Sequence, residues 1–103
     1  MENQQRVQMM IQELQMVAQQ SAALRNQQRE IEVTIEQVDK QPEDLSLYRQ
    51  TGAILSEVGD RAELLSELHE TGEKISQALE QLAQRETELR QSYEKMAAEF
   101  EGK

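Results

Sequence analysis

Residues 42–60 read Pro-Glu-Asp-Leu-Ser-Leu-Tyr-Arg-Gln-Thr-Gly-Ala-Ile-Leu-Ser-Glu-Val-Gly-Asp. This stretch separates two long polar runs and breaks their rhythm. Pro42 is the only proline of the chain. It ends any helix that precedes it, because the residue before a proline is pushed out of the α region. Leu45-Ser46-Leu47-Tyr48-Arg49-Gln50 alternates in the manner of a strand, and Thr51-Gly52 supplies a turn. Ala53-Ile54-Leu55-Ser56-Glu57-Val58 reads as a second short strand. Gly59-Asp60 then opens a new helix, with Asp60 as N-cap and Glu63, three residues on, as its capping-box partner.

Working outward, the upstream run shows a seam. Steps of alternately three and four residues pick out Val7, Met10, Leu14, Val17, Ser21, Leu24, Gln28, Ile31, Ile35 and Val38. Eight of these ten are apolar in a chain that is only 37% hydrophobic. A period of about 3.5 residues marks a coiled-coil seam. Downstream the same rhythm runs through Leu65, Leu68, Gly72, Ile75, Leu79, Leu82, Glu86, Leu89, Tyr93, Met96 and Phe100, nine of the eleven apolar. The other faces are Glu, Gln, Arg and Lys, with Glu70–Lys74 and Glu86–Arg90 spaced for i,i+4 ion pairs. The expectation is one domain over residues 1–103: a helix at about 5–40, a β-hairpin at about 45–58 and a helix at about 61–101.

Each helix would be roughly 50–60 Å long at about 1.5 Å per residue. Two seams of near-equal length with a short connector fold most simply as an antiparallel coiled-coil hairpin, a mainly α fold. Setting Val38 against Leu65 brings Gly72 opposite Ile31 and Glu86 opposite Val17. The β-hairpin then lies at one end and both termini at the other. An isolated two-stranded hairpin is marginal in water. Leu45, Leu47, Tyr48, Ile54, Leu55 and Val58 would be poorly covered, which predicts oligomerisation through the hairpin. All five methionines (Met1, Met9, Met10, Met16 and Met96) and Phe100, the only Phe, fall in the outer parts of the two runs. Met9, Ile11 and Met16 lie off the seam, where flexible thioethers suit a surface that adapts to many partners.

Composition narrows the function classes. The formal charge is −9 and the cations are spread from Arg6 to Lys103, so neither nucleic acid nor an anionic membrane is an expected partner. With no cysteine, disulfides, thiol chemistry and Cys-based metal sites are excluded. No signal peptide or membrane-length apolar run is read, so the expectation is a cytoplasmic protein. No Gly-x-x-x-x-Gly-Lys loop occurs, and no nucleophile stands with an oriented base. Neither an enzyme nor any cofactor is expected. His69, at an e position without a partner at metal spacing, reads as a solvated surface residue, and no metal site is expected.

The hinge also carries a family resemblance. Pro42-Glu43-Asp44, then Leu47-Tyr48-Arg49-Gln50-Thr51-Gly52-Ala53-Ile54-Leu55, between heptad runs of this length and order, resembles the linker of the prefoldin β-type subunit. The pattern shared is helix, Pro-acidic turn, Tyr-basic-x-x-Gly-x-aliphatic-aliphatic, helix. It departs at Ser56 and Glu57, where the family usually has an aliphatic and then a basic residue. The resemblance implies an ATP-independent chaperone, built in archaea as a hexamer of two α-type and four β-type subunits. Their hairpins form a double β-barrel, and the coiled-coil tips hold unfolded proteins for a group II chaperonin. It makes Leu47, Tyr48, Gly52, Ala53, Ile54 and Leu55 barrel-forming, beside Val58 from the coverage argument above. It makes the apolar residues near both termini client contacts: Val7, Met9, Met10, Ile11, Met16, Tyr93, Met96 and Phe100.

Plainer readings stand beside these. Met10, Met96 and Phe100 occupy seam positions, where packing alone accounts for them. Glu86 on the seam is either a destabilising polar insertion or a register pin, and Gly72 permits a bend or a close approach. The rival to the chaperone is a structural coiled-coil tether or adaptor with one defined partner. It explains both heptad runs but neither the Tyr48-to-Leu55 motif nor the off-seam apolar residues.

Overall fold

The computed structural model describes residues 2–101, with side chains for residues 2–99. Two long helices, α1 (Glu2–Lys40) and α2 (Arg61–Glu101), flank two short strands, β1 (Tyr48–Thr51) and β2 (Ile54–Glu57). The fold is mainly helical with a short antiparallel β-hairpin, as the heptads and the hinge predict. Its contacts divide into two compact units, Met1–Arg25 with Gln77–Lys103, and Asn26–Ser76.

Helix α1 begins three residues before the expected start. Gln, Glu, Leu, Met and Ala fill it, all residues that lose little rotamer freedom in a helix. Lys40 lies in the last turn and pairs with Glu36 at 2.8 Å, a cation where the helix dipole favours one. Beyond the end, Arg61 donates to the carbonyls of Gln41 and Pro42 at 2.7 and 2.9 Å, tying the start of α2 to the turn that follows α1. Helix α2 starts as its cap predicts, with the Glu63 N–H donating to Asp60 Oδ1 at 3.2 Å.

The first strand differs from expectation. Leu45–Leu47 are not part of it, because the Leu45 N–H donates to the Pro42 carbonyl at 3.1 Å and the chain is still turning there. The ladder opens with the Val58 N–H on the Leu47 carbonyl at 2.8 Å and pairs Tyr48 with Glu57, Arg49 with Ser56, Gln50 with Leu55 and Thr51 with Ile54. Gly52 and Ala53 are the two turn residues, one position later than Thr51-Gly52. Gly52 has φ 62° and Ala53 stays out of the left-handed region, the type II′ pattern that suits a right-twisted hairpin.

In the unit of Met1–Arg25 with Gln77–Lys103, the helices run antiparallel and the seam is where the heptads put it. Val17 and Leu89 are 5% and 4% exposed, and Ser21 is buried with them. Val7, Met10, Leu14, Leu24, Leu79, Leu82 and Met96 are half-buried. Tyr93 departs from the pattern: at a seam position, it is 42% exposed. Arg85 ties the two helices, reaching Glu13 at 2.7 Å and Glu88, three residues along α2, at 3.3 Å. Its hydrogen bonds to Glu13 and then Glu88 raise the guanidinium above its already high range. Glu86 is tolerated on the seam because its carboxylate turns outward to Arg90 at 2.7 Å.

In the unit of Asn26–Ser76, Val38 and Ile75 are buried while Ile31, Ile35, Leu65 and Leu68 are half-buried. The expected register appears at Gly72, where an added Cβ would lie 3.8 Å from Ile31 Cγ2. Gln28 completes the seam as a polar layer, its Nε2 donating to Ser76 Oγ at 2.7 Å. Glu70 and Lys74, spaced for an ion pair, do not form one. Among the described residues no large side chain is fully buried, which is what a thin seam between two helices provides.

Candidate interaction surfaces

The hairpin is the first surface. Residues paired across an antiparallel ladder share a face. Tyr48, Gln50, Leu55 and Glu57 therefore form one face, and Arg49, Thr51, Ile54 and Ser56 the other. The second face turns toward α2, since Arg49 donates to Glu67 at 3.0 Å. The first has no cover: Leu55 is 68% exposed and Tyr48 nearly as much, and all eight strand residues are exposed. Both strands are edge strands, with unpaired N–H and C=O groups along their outer sides. Of the hairpin residues singled out in the sequence, Tyr48, Gly52, Ala53, Ile54 and Leu55 are exposed, while Leu47 and Val58 are half-buried at the base of the ladder.

The second surface lies in the unit that contains both ends of the chain. Met9, 68% exposed, Ile11 and Met16 all project from α1 away from the seam. They are off-seam because the heptad puts them at c and e positions. Val7, Met10 and Met96 are half-buried, and Tyr93 is exposed. An open groove of about 570 Å³ runs between the helices here, lined by Asn3, Gln4, Val7, Tyr93, Met96 and Ala97 among others. It brings together three of the residues read as client contacts, Val7, Tyr93 and Met96, while Met9, Ile11 and Met16 lie outside it. The side chain of Phe100 lies outside the described residues.

Val33 is an exposed apolar residue that the heptad reading passes over. It falls at an f position, and a lone apolar residue there carries no periodic signal. His69 is exposed, as its e position predicts. Among the described residues no group of His, Asp or Glu is arranged to hold a metal ion. No described helix is long and apolar enough to cross a membrane.

Two long seam-packed helices joined by an uncovered two-stranded sheet define a coiled-coil subunit with an open sheet, and the comparisons give its family. The chain belongs to the prefoldin subunit family: the sequence profile described as "Prefoldin subunit" matches residues 1–103. Its fold is similar to the crystal structure of the prefoldin beta subunit from Thermococcus strain KS-1, with a TM-score of 0.87 and 20% sequence identity, over 97% of this chain and 87% of that one. A search of curated proteins finds no match to the sequence. The family is one of chaperone subunits rather than enzymes, and membership implies assembly with other prefoldin subunits.

Proposed function

We propose that this chain is a β-type subunit of an ATP-independent holding chaperone that acts in the cytoplasm. Its hairpin joins a β-barrel built with α-type subunits, in a hexamer of two α and four β. Residues near the two ends of the chain hold unfolded proteins and release them to a group II chaperonin. The observation that carries the reading is the exposure of Met9, Ile11 and Met16 on the outer side of α1. A helix that served only as a tether would leave polar residues there. Each such contact is weak, and several subunits gripping one client multiply it through effective concentration. Release then requires no nucleotide, only a chaperonin that competes for the same apolar segments of the client.

Single-site contributions follow from area. Truncating one exposed apolar side chain removes contacts worth on the order of 1 kcal/mol when it is buried against a client. The test is the triple variant Met9→Ser, Ile11→Ser, Met16→Ser in the hexamer formed with its cognate α-type subunit. Expected is an intact hexamer with clearly weakened suppression of client aggregation. Unchanged suppression with several unrelated clients would sink the assignment of this surface.

A further inference from the structure

We propose that the hairpin unit docks onto a partner of opposite charge, a non-identical subunit presenting Lys and Arg around its own strands, and that its acidity keeps copies of this chain from pairing through their hairpins. This deepens the assembly reading above and rests on it.

The charge of the chain is unevenly placed. Residues 26–76 carry twelve Asp and Glu against five Lys and Arg, so this unit holds seven of the nine excess negative charges. Around the hairpin itself, residues 41–67 contain six carboxylates and two cations. Both cations are engaged internally: Arg49 on Glu67, and Arg61 on the carbonyls of Gln41 and Pro42. Glu43, Asp44, Glu57 and Glu63 are exposed, and among the described residues none has an ion-pair partner. Glu57 lies on the uncovered sheet face, directly across from Tyr48.

Two forces therefore oppose each other at the hairpin. Tyr48, Ile54, Leu55 and the open strand edges favour association with any sheet, a second copy included. Carboxylates without local counter-charges repel a second copy and attract a basic partner. Charge of this kind chooses partners more than it adds affinity, and like charges brought together across an interface disfavour pairing. The range of the effect is about 10 Å at 0.1 M salt and about 3 Å at 1 M, so the discrimination weakens as salt rises.

The experiment is light scattering on a sizing column with three samples. The chain alone in 0.05 M NaCl is expected to stay unassociated, and in 1 M NaCl to self-associate at least about tenfold more strongly. The variant Glu43→Lys, Asp44→Lys, Glu57→Lys, checked for unchanged helicity, is expected to pair with the wild-type chain in 0.05 M NaCl, where the wild-type chain alone does not associate. Equal self-association at both salt concentrations, or failure of the charge-reversed variant to pair with wild type at low salt, overturns the inference. The third sample, Tyr48→Asp mixed with the cognate α-type subunit, separates this from the assembly reading. Loss of the hexamer there, with the charge tests failed, removes charge selection and leaves the hairpin as the assembly surface. A hexamer that forms despite Tyr48→Asp overturns both.

Discussion

Gly72→Ala should stabilise the helix pair. Gly72 sits in the interior of α2, where a glycine is less favourable than alanine by about 1 kcal/mol, chiefly through the freedom it has in the unfolded chain. Its φ lies outside the left-handed region, so alanine fits the backbone as it stands. The space is also available. A Cβ built at Gly72 meets only Ile31 Cγ2, at 3.8 Å, which is ordinary van der Waals contact. The methyl would enter an open groove of about 340 Å³ that Gln28, Ile31, Ile35 and Ser76 help to line. A fully buried methylene contributes about 0.8 kcal/mol, and this half-exposed position gives a fraction of that. The sum is a gain of about 1–1.5 kcal/mol. For a domain of this size that raises Tm by roughly 4–8 °C per kcal/mol, read from helical circular dichroism on heating. An unchanged or lowered Tm would refute the reasoning and mean that the two backbones must approach more closely than this register allows. If stability rises but client holding falls, Gly72 serves as a bend.

Other substitutions test the remaining local arguments. Asp60→Ala removes the acceptor for the Glu63 N–H and should cost about 1 kcal/mol in thermal unfolding, with Asp60→Asn close to neutral. Gly52→Ala places a side chain at φ 62° and should cost about 1–2 kcal/mol, seen as weaker hexamer formation on a sizing column, because nothing else in the turn clashes with the new methyl. Arg85→Met removes the link to Glu13 and Glu88; both partners are partly exposed, so only a small drop in Tm is expected at low salt and none near 1 M. Because Arg85 is raised from an already high range, no pH dependence through its own titration is expected.

The helices were legible because a coiled-coil seam is a long, redundant signal. Every α1 position from Val7 to Val38 picked by the heptad is buried or half-buried, including the polar Ser21 and Gln28. Tyr93 shows where periodicity stops: a repeat names the face of a helix but not how much of a large ring the partner helix covers. The hairpin was legible in kind and less so in its limits. Leu45-Ser46-Leu47 alternates like a strand, yet the turn set by Pro42 consumes it, and alternation carries no information about which backbone groups are already bonded. Thr51-Gly52 marked the turn one residue early, since a glycine alone does not say whether it takes the first or the second central position. Side-chain pairing across helices is the least legible level. Glu86–Arg90 forms and Glu70–Lys74 does not, though both have the same spacing, because exposed pairs are marginal and rotamer freedom competes with them.

The two surfaces differ in the kind of side chain they expose, and that difference can be tested. The hairpin presents Tyr48, Ile54 and Leu55 on strands whose register is set by backbone hydrogen bonds, a surface that recognises one shape. Helix α1 presents Met9 and Met16, unbranched side chains that rearrange around whatever meets them. Met9→Leu with Met16→Leu keeps nearly the same apolar area and helix propensity while removing most of that adaptability. If the grip is set by area, the double leucine variant in the hexamer should suppress aggregation of unrelated clients as well as wild type does, while the serine variant fails. That is the expected result, because each contact is weak and summed over subunits, so no single fit has to be good. Leucine variants that keep one client and lose others would instead assign the breadth of binding to the thioethers, and the surface would be adaptable by the chemistry of methionine rather than by number of arms.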